Sequence, residues 1–154
     1  MSAVIVDANL LLLLVVGAAD RRYIAMHGNL SHYSVEDFEL LIGLIGLFDE
    51  IVLVPHVLAE VSNLAAQSIK NPAKRHIFRQ FRQLIETTQE LPVASVQAVY
   101  REEFIDVGLN DSVLLQLCEA STFGLEFTIL TADKNLAVKA EMLGYSVQNF
   151  SHWK

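Results

Sequence analysis

The sequence predicts an α/β fold in which a parallel sheet is covered by helices on both faces. Three observations carry that expectation. Short apolar runs of strand length alternate with longer segments of helical period, no Asn-Gly turn joins two of the runs, and acids stand where helices open after Val4–Val6 and Phe127–Leu130. Antiparallel neighbours are joined by tight hairpin turns, whereas parallel strands need helical crossovers, so the alternation selects the second arrangement. The 154 residues suit one domain over 1–154. A chain of that length buries roughly 70% of its unfolded surface and needs no disulfide or structural metal to hold a core.

Taken in order, Val4–Val6 is a short buried strand, and a Leu-rich helix runs from Asn9 to near Gly17. Arg21–Ser34 has no clear period and contains Gly28 and Asn29, which suits a loop or a broken helix. Ser34 then offers a hydroxyl N-cap, with Glu36 and Asp37 in the first turn where the helix dipole favours acids. Leu40, Leu41, Leu44 and Leu47 continue that helix. Ile51–Val54 is a buried strand, and Pro55 is placed for the first position of the next helix. That helix carries Val57, Leu58, Val61, Leu64 and Ala65 on one face and is expected to end near Asn71-Pro72.

Ala73–Thr88 follows as a helix striped by Ile77, Phe78, Phe81, Leu84 and Ile85. Val93–Val96 reads as a short strand or an extended connector, and Gln97–Phe104 as a brief helix ended by Val107-Gly108. Asp111–Thr122 is a helix stopped by Gly124, Phe127–Leu130 a strand, and Asp133–Leu143 a helix stopped by Gly144, with Ser146–Phe150 as the last strand.

Leu10–Ala19 has the length of a signal-peptide apolar region, but Asp7 and Asn9 precede it where a basic segment belongs. It is also too short to span a bilayer, which takes about 20 residues. A buried core helix is therefore expected, with no membrane partner. The single cysteine, Cys118, lies in the apolar run Val113–Cys118 and reads as an inert buried thiol, which suits a reducing cytoplasm.

A net charge of −7 opposes nucleic-acid binding only if the charge is evenly spread. It is not, since Lys70, Lys74, Arg75, Arg79 and Arg82 hold five of the eleven basic residues. Arg75, Arg79 and Arg82 recur at helical spacing beside Lys74, which suits either one wall of an RNA groove or a solvated face opposite Ile77, Phe78 and Phe81. Arg21, Arg22 and Lys134 are alternative phosphate contacts.

Four acids stand beside apolar residues at the openings of helices or inside one: Asp7, Glu60, Asp111 and Asp133. Each has a separate structural account, with Asp7, Asp111 and Asp133 as N-caps and Glu60 on a wet helix face. Separate caps leave one thing unexplained, namely that the acids recur at strand ends or first turns of several βα units. A parallel sheet brings such positions to one edge, where ligand sites of open α/β sheets lie. Clustered carboxylates repel, and a hard divalent ion such as Mg²⁺ or Mn²⁺ relieves that repulsion. Zinc is a poor fit, because there is one cysteine and His27, His32, His56, His76 and His152 lack ligand spacing.

Val4-Ile5-Val6-Asp7-Ala8-Asn9, Pro55–Val61, Gly108-Leu109-Asn110-Asp111-Ser112 and Ile129–Leu136 together resemble the PIN domain, in family order and over nearly the whole chain. The resemblance implies a Rossmann-like parallel sheet and an Mg²⁺- or Mn²⁺-dependent ribonuclease that hydrolyses RNA phosphodiester bonds with a metal-activated water. Toxins of toxin–antitoxin pairs are among the family's members. Asp7, Asp111 and Asp133 match its metal ligands, and Glu60 its helix-borne acid, which completes the shell or helps deprotonate the water. Asn9, Thr131 and Ser112 fall at positions that orient the acids. Ala8 and Ser112 depart from the residues the family often has there, which bears on rate and substrate rather than on ligation.

The resemblance further implies RNA as substrate, an antitoxin protein as partner and a homodimer, for which Leu40–Phe48 offers an apolar surface; core burial accounts for that segment as well. Two other classes compete. A non-cleaving PIN-fold module that binds RNA or protein is one. An aspartate-nucleophile phosphatase is the other, but it calls for Asp-x-Asp at the first strand, where this chain has Asn9.

Overall fold

The computed structural model describes residues 1–120 and 124–154. Five strands, β1 (Ser2–Val6), β2 (Glu50–Leu53), β3 (Gln89–Glu90), β4 (Glu126–Thr131) and β5 (Ser146–Asn149), form one sheet in the order β3-β2-β1-β4-β5. Every pairing is parallel. Helices α1 (Ala8–Ala19), α2 (Tyr23–Met26) and α3 (Val35–Ile45) link β1 to β2, and α4 (Pro55–Ala65) and α5 (Ala73–Thr87) link β2 to β3. Helices α6 (Ser95–Val99) and α7 (Phe104–Ala120) lead to β4, and α8 (Lys134–Met142) joins β4 to β5.

β1 is the centre of this order. The chain builds outward from it to β2 and β3, then crosses to β4 on its other side. Crossovers between parallel strands are right-handed, so helices before and after that reversal cover opposite faces. Accordingly α1 packs against α3, α4 and α5, while α7 packs against α6 and α8. The reversal opens a crevice at the carboxyl ends of β1 and β4.

Helix α1 anchors the centre. Leu10, Leu11, Leu12, Leu13, Val15 and Val16 are all buried, so the helix is apolar nearly all round because it lies between sheet and helices. Each fully buried leucine contributes about 2 kcal/mol of transfer free energy. Gly17 lets α3 approach, since a Cβ there would overlap the Phe38 ring. Gly17→Ala is therefore expected to cost about 1–3 kcal/mol through overpacking, read as a lower urea midpoint with an unchanged m-value.

The local signals account for most boundaries. Ser34 and Asp37 form a reciprocal capping box on α3, and Pro55 opens α4. Gly124 and Gly144 adopt the left-handed conformation expected of helix-stopping glycines, at φ +68° and +80°. The expected reach of the helix from Asp111 to Thr122 lies, at its end, outside the described residues.

Arg21–Ser34 is broken, as expected, holding the four-residue α2 and a 3-10 turn at Gly28–Leu30. Other expectations are corrected. Helix α4 ends at Ala65, not near Asn71, because its buried stripe stops there. The third strand is Gln89–Glu90; of the two readings of Val93–Val96 the connector holds for Val93-Ala94, and α6 begins at Ser95. Gly108, at φ +84° and ψ 176°, is non-helical inside the α7 span and separates two helices there, as the expected stop at Val107-Gly108 requires. No helix among the described residues is long and apolar enough to cross a membrane.

Candidate active site

Asp7 leaves β1 directly over the crevice. Its backbone N–H donates to Leu130 O of β4 at 2.9 Å, fixing it between the two central strands. Its carboxylate caps α1, accepting from Ala8 N at 2.8 Å, and also accepts from Thr131 Oγ1 at 2.7 Å. Thr131 is fully buried at the end of β4, and the same hydroxyl accepts from Asp133 N at 2.9 Å. One side chain therefore sets the positions of two acids.

Asp133 caps α8, its Oδ1 accepting from Asn135 N and Leu136 N at 2.8 and 3.3 Å. Capping and site membership coexist, because an N-cap carboxylate uses one oxygen on the helix and leaves the other free. Glu60 projects from α4 and accepts from Asn110 Nδ2 at 2.6 Å. Asp111 follows on α7, one residue beyond Asn110 and just past the Gly108 kink.

These residues line one pocket of about 390 Å³: Asp7, Asn9, Glu60, Asn110, Asp111 and Asp133, with Ala8, Val107 and Leu109 completing its wall. Four acids from four separate segments thus face a common space. Among the described residues no three His, Cys, Asp or Glu side chains already lie at ligand spacing, so the acids share a pocket rather than a finished coordination cage.

Burial and mutual repulsion both act on these acids. Burial pushes the Asp111 carboxyl up to about 7, and the charges of Asp7, Asp133 and Glu60 push in the same direction. Burial also raises Asp7; the Thr131 and Ala8 hydrogen bonds oppose that, and the charges of Glu60 and Asp133 add to it. A pocket of mutually repelling carboxylates is matched in chemistry by a hard divalent cation, which prefers oxygen donors. Asp7, Glu60, Asp111 and Asp133 offer only oxygens, and the Asn110 amide adds another.

The remaining expected residues divide. Asn9 lines the pocket but is exposed and is not a hydrogen-bond partner of Asp7 among the described residues; Thr131 and Ala8 orient that acid instead. Ser112 is buried away from the acids, its hydroxyl donating to Ala98 O of α6 at 2.7 Å. It pins the start of the helix that carries Asp111. Lys74, Arg75, Arg79 and Arg82 lie on α5 and line no part of the acid pocket. Arg21 and Arg22 are engaged in surface ion pairs with Glu39 and Asp20. Cys118 is held inert, burial pushing its thiol up to about 12.

Asn110 is the site residue that the sequence reading passes over. Its signal was adjacency to Asp111, but its pairing with Glu60 spans 50 residues and exists only once α4 meets α7.

Thr131→Val keeps the shape of the buried residue and removes both hydroxyl bonds. Where acids hold a metal, loss of the residue that orients them typically costs 10–100-fold in affinity or activity. The expected outcome is a loss of about that size in Mn²⁺ affinity by titration calorimetry, with the fold retained by circular dichroism.

A scan of protein-family models gives no match to this chain, and a search of curated proteins gives none either.

Proposed function

We propose that this chain is a metal-dependent endoribonuclease of the PIN type, hydrolysing RNA phosphodiester bonds with Mg²⁺ or Mn²⁺. The observation that carries the reading is the convergence of Asp7, Glu60, Asp111 and Asp133, from four separate segments, on one pocket at the carboxyl edge of a parallel sheet. A bound divalent ion supplies charge neutralisation at the phosphate and a more acidic water. Asp7, Asp111 and Asp133 are the residues that would hold it.

The chain's own groups do the rest. Thr131 holds Asp7 and Asp133 in place, and Asn110 holds Glu60 by one oxygen. The second Glu60 oxygen is then available to take a proton from the attacking water. The net negative field of the acids keeps a phosphate away until a cation is present, which makes cleavage strictly divalent-dependent.

The reading extends to a cytoplasmic toxin held by an antitoxin and to a homodimer. Ile42 and Leu47 support a protein-contact surface on and just after α3, Leu47 being 74% exposed. The test incubates purified chain with structured and unstructured RNAs, with each metal and with chelator. Metal-dependent cleavage is expected; no cleavage together with no metal bound by titration would leave the non-cleaving binding module. Growth arrest on expression that Asp7→Asn relieves tests the toxin role, and light scattering tests the dimer.

A further inference from the structure

Tyr100, the C-cap of α6, is 85% exposed on the turn that leads into α7. The turn beneath it is tied down. The Arg101 side chain is only 8% exposed, donating to Gln116 Oε1 at 3.0 Å and to Glu103 Oε1 at 3.1 Å and pairing with Glu119. Its backbone N–H donates to Ala98 O at 3.3 Å. Tyr100 shares a groove with Glu102, Glu103 and Glu119, three carboxylates against the one guanidinium of Arg101. The ring is therefore an apolar knob on a fixed, acidic rim, and little ordering is left to oppose its binding.

The counterpart lies on the other side of the sheet. A cleft of about 650 Å³ opens between α2 and the turn before α5, with Tyr23, Met26, Ile69 and Pro72 as its apolar lining and Lys70 as its one charged residue. Lys74 and Arg75 follow in the first turn of α5. Among the described residues none of these three cations is in an ion pair. An aromatic ring entering beside Lys70 also offers that ammonium a π face.

An exposed ring with an acidic rim and an apolar cleft with a basic rim match in both polarity and charge. Helix α5 packs with α1 and helix α6 with α7, on opposite faces of the sheet, so the two features cannot meet within one chain. They can meet between chains.

We propose that the chain associates head to tail, with Tyr100 of one copy seated in the cleft lined by Tyr23, Met26 and Ile69 of the next, and Glu102 and Glu103 facing Lys70 and Lys74. A second copy is favoured as the occupant because this chain carries both halves of the match. Such a contact is heterologous: every copy keeps a knob or a cleft unused, so association runs on into a ring or an open chain instead of stopping at an isologous pair. It needs nothing from the nuclease reading and uses a different surface from a dimer on α3.

Sedimentation velocity of the full chain at rising concentration reads the association. The average mass is expected to climb with concentration, with an apparent dissociation constant on the order of 100 µM, because one aromatic anchor with rim charges makes a small interface. Tyr100→Ala and Met26→Glu, both at exposed positions, each weaken it by about tenfold or more, and Tyr100→Phe restores it. Salt near 1 M, where the Debye length falls to about 3 Å, weakens it severalfold. Mixing Tyr100→Ala with Met26→Glu in equal amounts restores association, since one variant keeps a cleft and the other a knob.

A mass that does not change with concentration overturns the contact and leaves the cleft to a different partner. Equal masses in the wild type and both variants overturn it as well, and a constant mass of two chains in all three assigns self-association to α3. A mixture that associates no more than its separate parts rules out the head-to-tail geometry.

Discussion

Asp7→Asn and Asp111→Asn chains are expected to lose divalent-dependent RNA cleavage by about a thousandfold or more while remaining folded. The size follows from what a carboxylate contributes to such a site. Electrostatic stabilisation by a bound divalent ion is worth several kcal/mol, and roughly 4 kcal/mol corresponds to about a thousandfold in rate. An amide is isosteric but carries no charge, so it keeps the shape and loses the ligand.

Asp7→Asn also disturbs its neighbours. The amide oxygen still accepts from Ala8 N, but the Thr131 hydroxyl proton loses its carboxylate acceptor. Asp111 accepts no side-chain bond among the described residues, which makes Asp111→Asn the cleaner probe. The measurement is single-turnover cleavage of a labelled RNA in Mn²⁺, with circular dichroism to confirm the fold. Wild-type rates in either variant would remove these acids from the chemistry.

The second large effect concerns stability and has the opposite sign. In metal-free buffer at neutral pH, Asp111→Asn is expected to be more stable than the wild type. Burial, then the charges of Asp7, Asp133 and Glu60, raise the Asp111 carboxyl to about 7, against about 3.9 in an unfolded chain. A folded-state pKa raised above the unfolded value means that the folded protein binds more protons across that interval. The associated stability is fully present below about pH 4 and is lost as pH rises to about 7.

The full shift would correspond to about 4 kcal/mol, but Asp111 is partly exposed and solvent screening reduces this to about 1–2 kcal/mol. For a chain of this size that is a rise of roughly 3–6 °C in Tm. The gain from Asp111→Asn should be absent near pH 4, grow toward pH 7 and then level off. Adding Mn²⁺ reverses the comparison, since a ligand bound to the native state stabilises the wild type by mass action. Urea titrations at several pH values, with and without metal, test both halves. A variant less stable than the wild type in chelator at pH 7.5 would contradict the repulsion on which the site rests.

The two expectations share one cause. On the proposed reading, residues placed for a cation repel one another without it, and the pocket would trade stability for a site, as functional positions commonly do. Ser112 shows the contrasting case, in which a buried polar group finds a local partner, Ala98 O, and serves only the packing of α7.

What the sequence determined was whatever depends on neighbours along the chain. The apolar run Leu10–Val16, the capping chemistry of Ser34 and Asp133, Pro55 at a helix start and the glycine at 144 are local, and each is found where the pattern placed it. The parallel sheet followed from the alternation of these elements, and with it the edge at which Asp7 and Asp133 sit.

Only the tertiary structure decided which polar residues meet. Asn9 and Ser112 were as eligible as Thr131 by their place beside an acid, yet Thr131 alone joins Asp7 to Asp133, because β1 and β4 are neighbours in the sheet. Asn110 reaches Glu60 because α4 and α7 meet over the crevice, and the basic stripe of α5 stays outside the pocket. Side-chain direction at a distance depends on which elements pack together, and packing is settled by the whole core rather than by any one segment.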